Sequence, residues 1–489
     1  MKINWKTFKK IAGQTKYQLA LILLLAFIVR LYRITNPVLD WHAFRQADTA
    51  SVTHQYVLHG VDLLRPKYHD LSNIQSGLEN PNGYRMVEFP LVNGLTAGVI
   101  RELGNINLEI TSRLISILFS LGALYCLYWF VKEISHQKLA LLSLIIMAFM
   151  PFSVYYSRVV LPEPALLFFS MFSLASFVQF LKNDRIIFWW LAWIGLALAL
   201  LLKPFVAFYA PVYLALLMIY DQQWWKKIHV YLFPILAFIP LVWWRNWIKQ
   251  FPEGIPASTW LLNSDGIRLR PAWFRWLFWE RIGLLMSGGV GIIFLITNAF
   301  KKNRILLILA AWWIGILGYF IVIATGNVRH DYYQILVIPL VSITLARGAL
   351  IFHQKLAAYL KTKIILWRYF SLITTALLIG SMFAFSWFKI KGYYNVNHWE
   401  YLKAGQAADK LLPADAKVIA HAMGDTMFLF QTRRIGWPIG FNIEEKITAG
   451  ATHYVTTEFN YEAEALEKKY TTIKKTSEYL IIDLTKIRQ

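Results

Sequence analysis

The chain has 489 residues, 57% of them hydrophobic and only 16% charged, with a formal net charge of +22. Soluble globular proteins carry about 45–50% apolar and roughly 25% charged residues, so an ordinary soluble enzyme is excluded; a disordered chain is excluded too, because low hydrophobicity is what keeps a chain unfolded. The single cysteine, Cys126, allows no intramolecular disulfide and no cysteine-based zinc site, and the positive charge reads as basic loops and contacts to anionic lipid rather than as nucleic-acid binding.

About twenty apolar residues cross a bilayer as a helix. In chain order, eleven runs are predicted as spans: 17–34, 109–131, 139–156, 160–181, 186–202, 204–220, 228–248, 282–300, 305–324, 335–352 and 365–388. The first is too long for a cleaved signal peptide, lacks a small-residue cleavage site, and carries Arg30 and Arg33 at its far end, so it reads as a signal anchor. Basic residues mark every second connection: Lys2, Lys6, Lys9, Lys10 and Lys16 before the first run, then Lys132 and Lys138, Lys182 and Arg185, Lys226 and Lys227, Lys301, Lys302 and Arg304, and Lys355, Lys361 and Lys363. With eleven spans all of these fall on one side, the cytoplasm of a cell inner (plasma) membrane. Arg268, Arg270, Arg275 and Arg281 run against this pattern.

Two segments are too polar to span. The first outer loop, 35–108, holds apolar stretches such as 90–100 that are expected to form amphipathic helices at the interface. The tail, 389–489, alternates helix and strand: helix 398–412, strand 417–421, helix 425–432, a helix–strand pair within 443–456, helix 461–470, and strands 472–474 and 479–483. That alternation predicts a small C-terminal α/β extracytoplasmic domain. The expected architecture is therefore an α-helical polytopic membrane protein with about eleven transmembrane helices at 1–388, including the first outer loop, and an α/β domain at 389–489.

Ionised side chains inside or beside spans are costly and need a reason. Here they gather on the outer side: Asp40, His42, Arg45, Gln46 and Asp48, then Glu88, Arg158, Glu163, Lys203, Arg245, and Asn327, Arg329, His330, Asp331 and Tyr332. Arg245 and Arg329 also read as snorkelling side chains. His330 reads as a structural hydrogen-bonding residue rather than a metal ligand, and His42 with Glu88 as a pair able to hold a cation. Asp40 and Glu163 are acidic and too short to snorkel far. Carboxylates can deprotonate a hydroxyl or amine acceptor, while Arg and Lys neutralise a phosphate as ligand and leaving group. This division of labour fits glycosyl transfer from a lipid phosphate. No nucleotide-sugar pool serves the outer side, so the activated sugar arrives on a polyprenyl phosphate.

Several short motifs carry a family resemblance. They are Asp40-Trp-His-Ala-Phe-Arg45-Gln46-Ala47, Val87-Glu88-Phe89-Pro90-Leu91, Ser157-Arg158-Val-Val-Leu-Pro-Glu163-Pro, Leu202-Lys203-Pro204 and His330-Asp-Tyr332-Tyr333. In this order the chain resembles the GT-C membrane glycosyltransferases, in particular the bacterial group related to protein O-mannosyltransferases and the lipid A aminoarabinose transferase. Asp40 is followed by Trp41 where the family often has an acid, and Phe89 stands where a lysine is common. The resemblance implies Asp40 as catalytic base and places Glu163 at the position of a second acidic residue of the catalytic site. It implies Arg158, Lys203 and Arg45 on the donor phosphate, and His42, Gln46, Glu88, His330, Tyr332 and Tyr333 around the substrate cavity. It implies no metal site; no cofactor is required, and dependence on a divalent cation stays open. The partners it implies are a polyprenyl-phosphate-sugar donor and a lipid, glycan or protein acceptor.

Two other function classes share parts of the pattern. A transporter or flippase of a lipid-linked solute would place its charges near the midplane and across a repeat, and no repeat is seen. An O-antigen polymerase or ligase would share the outer site and lipid donor. Reporter fusions after Lys226 and after Gln489 are expected to lie on opposite sides of the membrane; both on one side would overturn the predicted topology.

Overall fold

A backbone amide without water must find its partner inside its own helix, and each of the eleven apolar runs is helical over at least part of its length. The computed structural model describes residues 14–104, 106–300, 303–360 and 365–488. Of the basic residues used to orient the chain, Lys2, Lys6, Lys9, Lys10, Lys301, Lys302, Lys361 and Lys363 lie outside these residues. Six helices among the described residues are long and apolar enough to cross a membrane, fewer than the eleven spans expected. The other runs are short or interrupted. Run 139–156 breaks into Gln137–Phe149 and Pro151–Tyr156, because Met150 leaves the helical region and Pro151 restarts it. Run 204–220 begins as a 3-10 turn at Pro204–Tyr209. Run 282–300 is interrupted after Met286. There Gly288 adopts φ +55°, and a β-carbon on it would lie 2.1 Å from the Met382 carbonyl oxygen, so only glycine fits this close approach.

The helices pack around one large apolar core drawn from Leu108–Ile134, Gln137–Phe149, Glu163–Asn183, Ile186–Leu202 and Ile338–Tyr359. The segment Asp331–Tyr359 has 89% of its apolar window buried within the protein, against 22% for Ile228–Gln250. The former is a central post, and the latter presents most of its surface to lipid. Arg30 is fully buried rather than flanking the first helix. It donates to the carbonyls of Ala26 and Ala148 at 2.9 Å and so ties two helices together. The first loop folds into the helices Ala43–His59 and Leu91–Leu103, the second covering the stretch expected to be amphipathic.

Beyond the last long helix the chain forms a five-stranded sheet: β1 (Lys417–Ala420), β2 (Ile435–Trp437), β3 (His453–Thr456), β4 (Tyr470–Lys475) and β5 (Leu480–Ile487), in the order β2-β1-β3-β5-β4. β1 runs parallel to β2 and β3, and β5 antiparallel to β3 and β4. Side chains alternate across the strands as the pleat requires. Val418, Ala420, Val455 and Ile481 meet helices Trp399–Leu411 and Thr426–Gln431 on one face. Ile419, Tyr454, Leu480 and Ile482 meet Ile443–Thr448 and Tyr461–Lys469 on the other. β2 is not among the strands expected from the sequence.

The sheet is locked to the first loop. Leu71 N–H donates to the Gly436 carbonyl at 2.7 Å and Gly436 N–H returns to the His69 carbonyl at 2.9 Å, extending the β2 edge. Arg433 pairs with Glu109. Beneath this seam His54 Nδ1 and His69 Nε2 lie 2.9 Å apart, and His69 stacks on Phe430. Burial, reinforced by the nearby Arg433 charge, pushes His54 down to about 4 and holds His69 well below the ordinary histidine value. Between about 6.5 and 4 the unfolded chain therefore binds a proton that the folded chain excludes. The seam's contribution is complete above that window and is lost as pH falls through it. Thermal unfolding temperature is expected to drop across this window, and His54→Asn to flatten the drop.

Candidate active site

At the end of the helical body where the first loop and sheet lie, a cavity of about 490 Å³ opens between the first loop, the Lys203–Pro204 turn, residues 255–262 and the His330–Tyr333 turn. The helix Ile186–Leu202 ends because Pro204 cannot continue it, which leaves Lys203 extended at the cavity wall. Its ammonium lies 5.2 Å and 4.9 Å from the ring centres of Tyr332 and Tyr333, and it pairs with the buried Glu163 behind it. Arg45, in the first turn of helix Ala43–His59, faces the same space and pairs with Glu88. Arg85 and Asp48 line it as a pair at 2.7 Å, and Thr426 donates to the other Asp48 oxygen at 2.7 Å. Arg245 also lines the cavity and has no hydrogen-bond or ion-pair partner among the described residues.

The electrostatics follow from this crowding. Burial alone would raise the Glu88 carboxyl, but the charges of Arg45, Lys203 and Arg85 outweigh it and hold Glu88 below its ordinary value. Burial alone would lower the Arg45 guanidinium, but Glu88, Tyr332 and Asp48 outweigh it and hold Arg45 above its ordinary value. His330 is pushed down to about 4 by burial and by the neighbouring His42, so it is neutral near pH 7. The cavity therefore combines fixed cations with carboxylates that are already matched to partners. Such a site attracts an anion that brings its own charge, and Arg245 stands ready to meet it.

Not every expected residue reaches the cavity. Lys203, Arg45, Glu88, His330, Tyr332 and Tyr333 line it, Glu163 lies directly behind Lys203, and His42 does not line it but packs against Phe44, His330 and Tyr332, which do. Asp40, Gln46 and Arg158 form a second, sealed cluster. Asp40 accepts from Gln46 Nε2 at 2.7 Å and lies 3.8 Å from both Arg113 and Arg158. Gln46 also donates to the Trp41 carbonyl and accepts from the Val160 N–H. Arg158 donates to the Arg33 carbonyl at 2.8 Å and lies over the Tyr394 ring. This cluster clamps the start of the first loop onto the turn before Glu163. Arg329 points elsewhere and pairs with Asp265 on the surface.

Between the two clusters sits Asp331, fully buried. It accepts from His42 Nε2 at 2.6 Å, Tyr393 at 2.6 Å, Trp41 Nε1 at 3.2 Å and Tyr156, with Arg281 at 3.7 Å. In the sequence Asp331 stands in the outer turn with nothing to mark it. Arg113 carries a signal, being a cation within an apolar run, and Arg281 stands out only as an exception to the charge pattern. Arg85, Tyr156 and Tyr393 carried no sequence signal.

Residues 90–245 match the dolichyl-phosphate-mannose-protein mannosyltransferase family. The whole architecture is similar to ArnT from Cupriavidus metallidurans bound to undecaprenyl phosphate. That match has TM-score 0.65 and 12% identity, covering 96% of this chain and 98% of that one. The fold is that of the GT-C membrane glycosyltransferases. The apo Archaeoglobus fulgidus oligosaccharyltransferase shares this GT-C fold at TM-score 0.59 and 10% identity, over 91% of this chain and 70% of that one. So does Archaeoglobus fulgidus AglB in complex with an inhibitory peptide and a dolichol-phosphate, at TM-score 0.56 and 11% identity, over 95% and 74%. Among curated proteins none matches the sequence.

The sealed cluster predicts a stability effect. Asp40→Asn leaves Arg113 and Arg158 buried beside a neutral group, and breaking a buried pair of this kind costs about 3–5 kcal/mol. Thermal unfolding in detergent should show a clear fall in stability; an unchanged midpoint would mean that the two arginines are satisfied by backbone carbonyls alone.

Proposed function

We propose that the chain is a membrane glycosyltransferase that moves a sugar from a polyprenyl-phosphate donor to an acceptor outside the cytoplasm, inverting the anomeric configuration. The observation that carries this reading is the cavity beside the Lys203–Pro204 turn. Four cationic side chains, Arg45, Arg85, Lys203 and Arg245, line it together with Tyr332 and Tyr333. Cations suit a phosphodiester that leaves as a phosphate monoester with one more negative charge. The GT-C fold supports the lipid-linked donor, because its structural neighbours were solved with undecaprenyl phosphate and with a dolichol-phosphate.

In this reading the phosphate lies against Lys203, Arg45 and Arg245, and Glu88 and Glu163 orient the first two of these. Asp40 with Arg158 and Gln46 acts at one remove, by fixing the first loop against the turn before Glu163. Residues 1–388, with the loop 35–108, form the catalytic unit, and 389–489 forms an extracytoplasmic domain whose Thr426 supports the cavity wall through Asp48. The N-terminus lies in the cytoplasm of the plasma membrane. A transporter is disfavoured because the charges collect at one end of the bundle rather than at its middle. A polymerase or ligase acting on the same lipid remains the second reading, since it would use the same cations.

The test is binding of undecaprenyl phosphate to the purified protein. Arg245→Gln removes a cation that has no hydrogen-bond or ion-pair partner among the described residues, so little of the fold depends on it. A charged hydrogen bond contributes about 1.5–3 kcal/mol, so affinity should fall about tenfold or more. Lys203→Gln should weaken binding at least as much. Unchanged affinity in both variants would overturn the phosphate assignment.

A further inference from the structure

The carboxylates near the cavity are each engaged by a neighbouring group. Asp40 is sealed away from it, Asp48 is taken by Arg85 and Thr426, and Glu163 is taken by Lys203. Glu88 is paired with Arg45, and its surrounding cations make it a weak base. A different group has the right environment. His42 Nε2 lies 2.6 Å from Asp331 Oδ1. Asp331 accepts this bond, so Nε2 carries a proton, and in the neutral ring Nδ1 holds the lone pair. Nδ1 has no hydrogen-bond partner among the described residues.

The imidazole is also held in place. His42 adopts φ +56°, ψ +37° at the residue preceding helix Ala43–His59. A side chain with a β-carbon is uncommon in this left-handed region and persists where its surroundings enforce it. Its ring packs edge-on at 5.1 Å from Tyr332, 5.5 Å from His330 and 6.1 Å from Phe44, all three of which line the cavity. His330 is a weaker candidate. It has no hydrogen-bonded carboxylate, and burial keeps it neutral down to about 4.

We propose that His42, oriented by Asp331, takes the proton from the acceptor hydroxyl. The assignment rests on the glycosyltransferase reading above and names the proton acceptor within it. The acceptor oxygen attacks the anomeric carbon and forms the new glycosidic bond. The bond from that carbon to the phosphate oxygen breaks, and its electron pair leaves with polyprenyl phosphate. The hydroxyl proton passes to His42 Nδ1, and the resulting imidazolium is balanced by the Asp331 carboxylate until the proton returns to water. Asp331 is a positioning residue in this scheme.

The test follows release of undecaprenyl phosphate from a panel of undecaprenyl-phosphate hexoses and pentoses, with membranes of the producing cell as acceptor. Undecaprenyl phosphate binding is measured in parallel. His42→Gln keeps an N–H near the place of Nε2–H and removes the basic nitrogen. Its turnover is expected to fall about 10²–10⁴-fold, the usual contribution of a positioned base, with undecaprenyl phosphate affinity unchanged. His42→Gly suits the left-handed backbone, and added imidazole should restore part of its turnover. Asp331→Asn, which also loosens the frame of the cavity, should lower kcat. If the wild-type chain turns over and His42→Gln keeps its rate, or if Glu88→Gln alone abolishes turnover with binding intact, the His42 assignment is wrong and the glycosyltransferase reading stands. If the wild-type chain neither binds undecaprenyl phosphate nor releases it from any donor, the glycosyltransferase reading fails and the assignment fails with it.

Discussion

A carboxylate taken wholly out of water is tolerated only when donors replace its hydration, and Asp331 sets the terms for much of the surrounding structure. Its partners come from separate parts of the chain: Trp41 and His42 from the first loop, Tyr156 from the end of the short helix Pro151–Tyr156, Tyr393 from beyond the last long helix, and Arg281 from the interrupted segment. Each must arrive at one point for the charge to be satisfied. The segments that frame the cavity are therefore fixed relative to one another by a polar centre, above an apolar core that packs without that directionality.

The same logic of matched charge runs outward. Glu163 with Lys203, Glu88 with Arg45 and Asp48 with Arg85 are pairs in which one member faces the cavity and the other holds it. Buried pairs of this kind add little net stability, so their concentration at one end of the helical body is better understood as preorganisation. Cations held in place before a ligand arrives need no reorientation when it does. The sealed group of Asp40, Arg113, Arg158 and Gln46 does for the loop backbone what these pairs do for the cavity wall.

Much of this was legible in the sequence, for a physical reason: long apolar runs have few alternatives to helix. Helices appear at all eleven runs, and the C-terminal helix–strand alternation appears close to its expected bounds. The interruptions were harder to see, because Met150–Pro151 and Gly288 disturb a run without making it polar. β2 escaped notice because three residues, Ile435–Trp437, carry too short a pattern. Of the residues that motif order picked out, Lys203, Arg45, Glu88, His330, Tyr332 and Tyr333 line one cavity. Position at the end of a span could not say which way Asp40 turns. Its direction is decided by Arg113 and Arg158, which are 73 and 118 positions away in the chain.

The hydrogen bond from Thr426 to Asp48 joins residues 378 positions apart, and Asp48 is part of the cavity wall. A chain is made from its N-terminus onward, so the cavity's cations are all synthesised well before the residue that braces them. The wall is completed only when the sheet has folded against the first loop through Gly436 and against Glu109 of the following helix through Arg433. Competence is thus delayed to the end of biogenesis, and an interrupted translation product would hold the greasy body and the cations but lack the brace that sets Asp48 and Arg85.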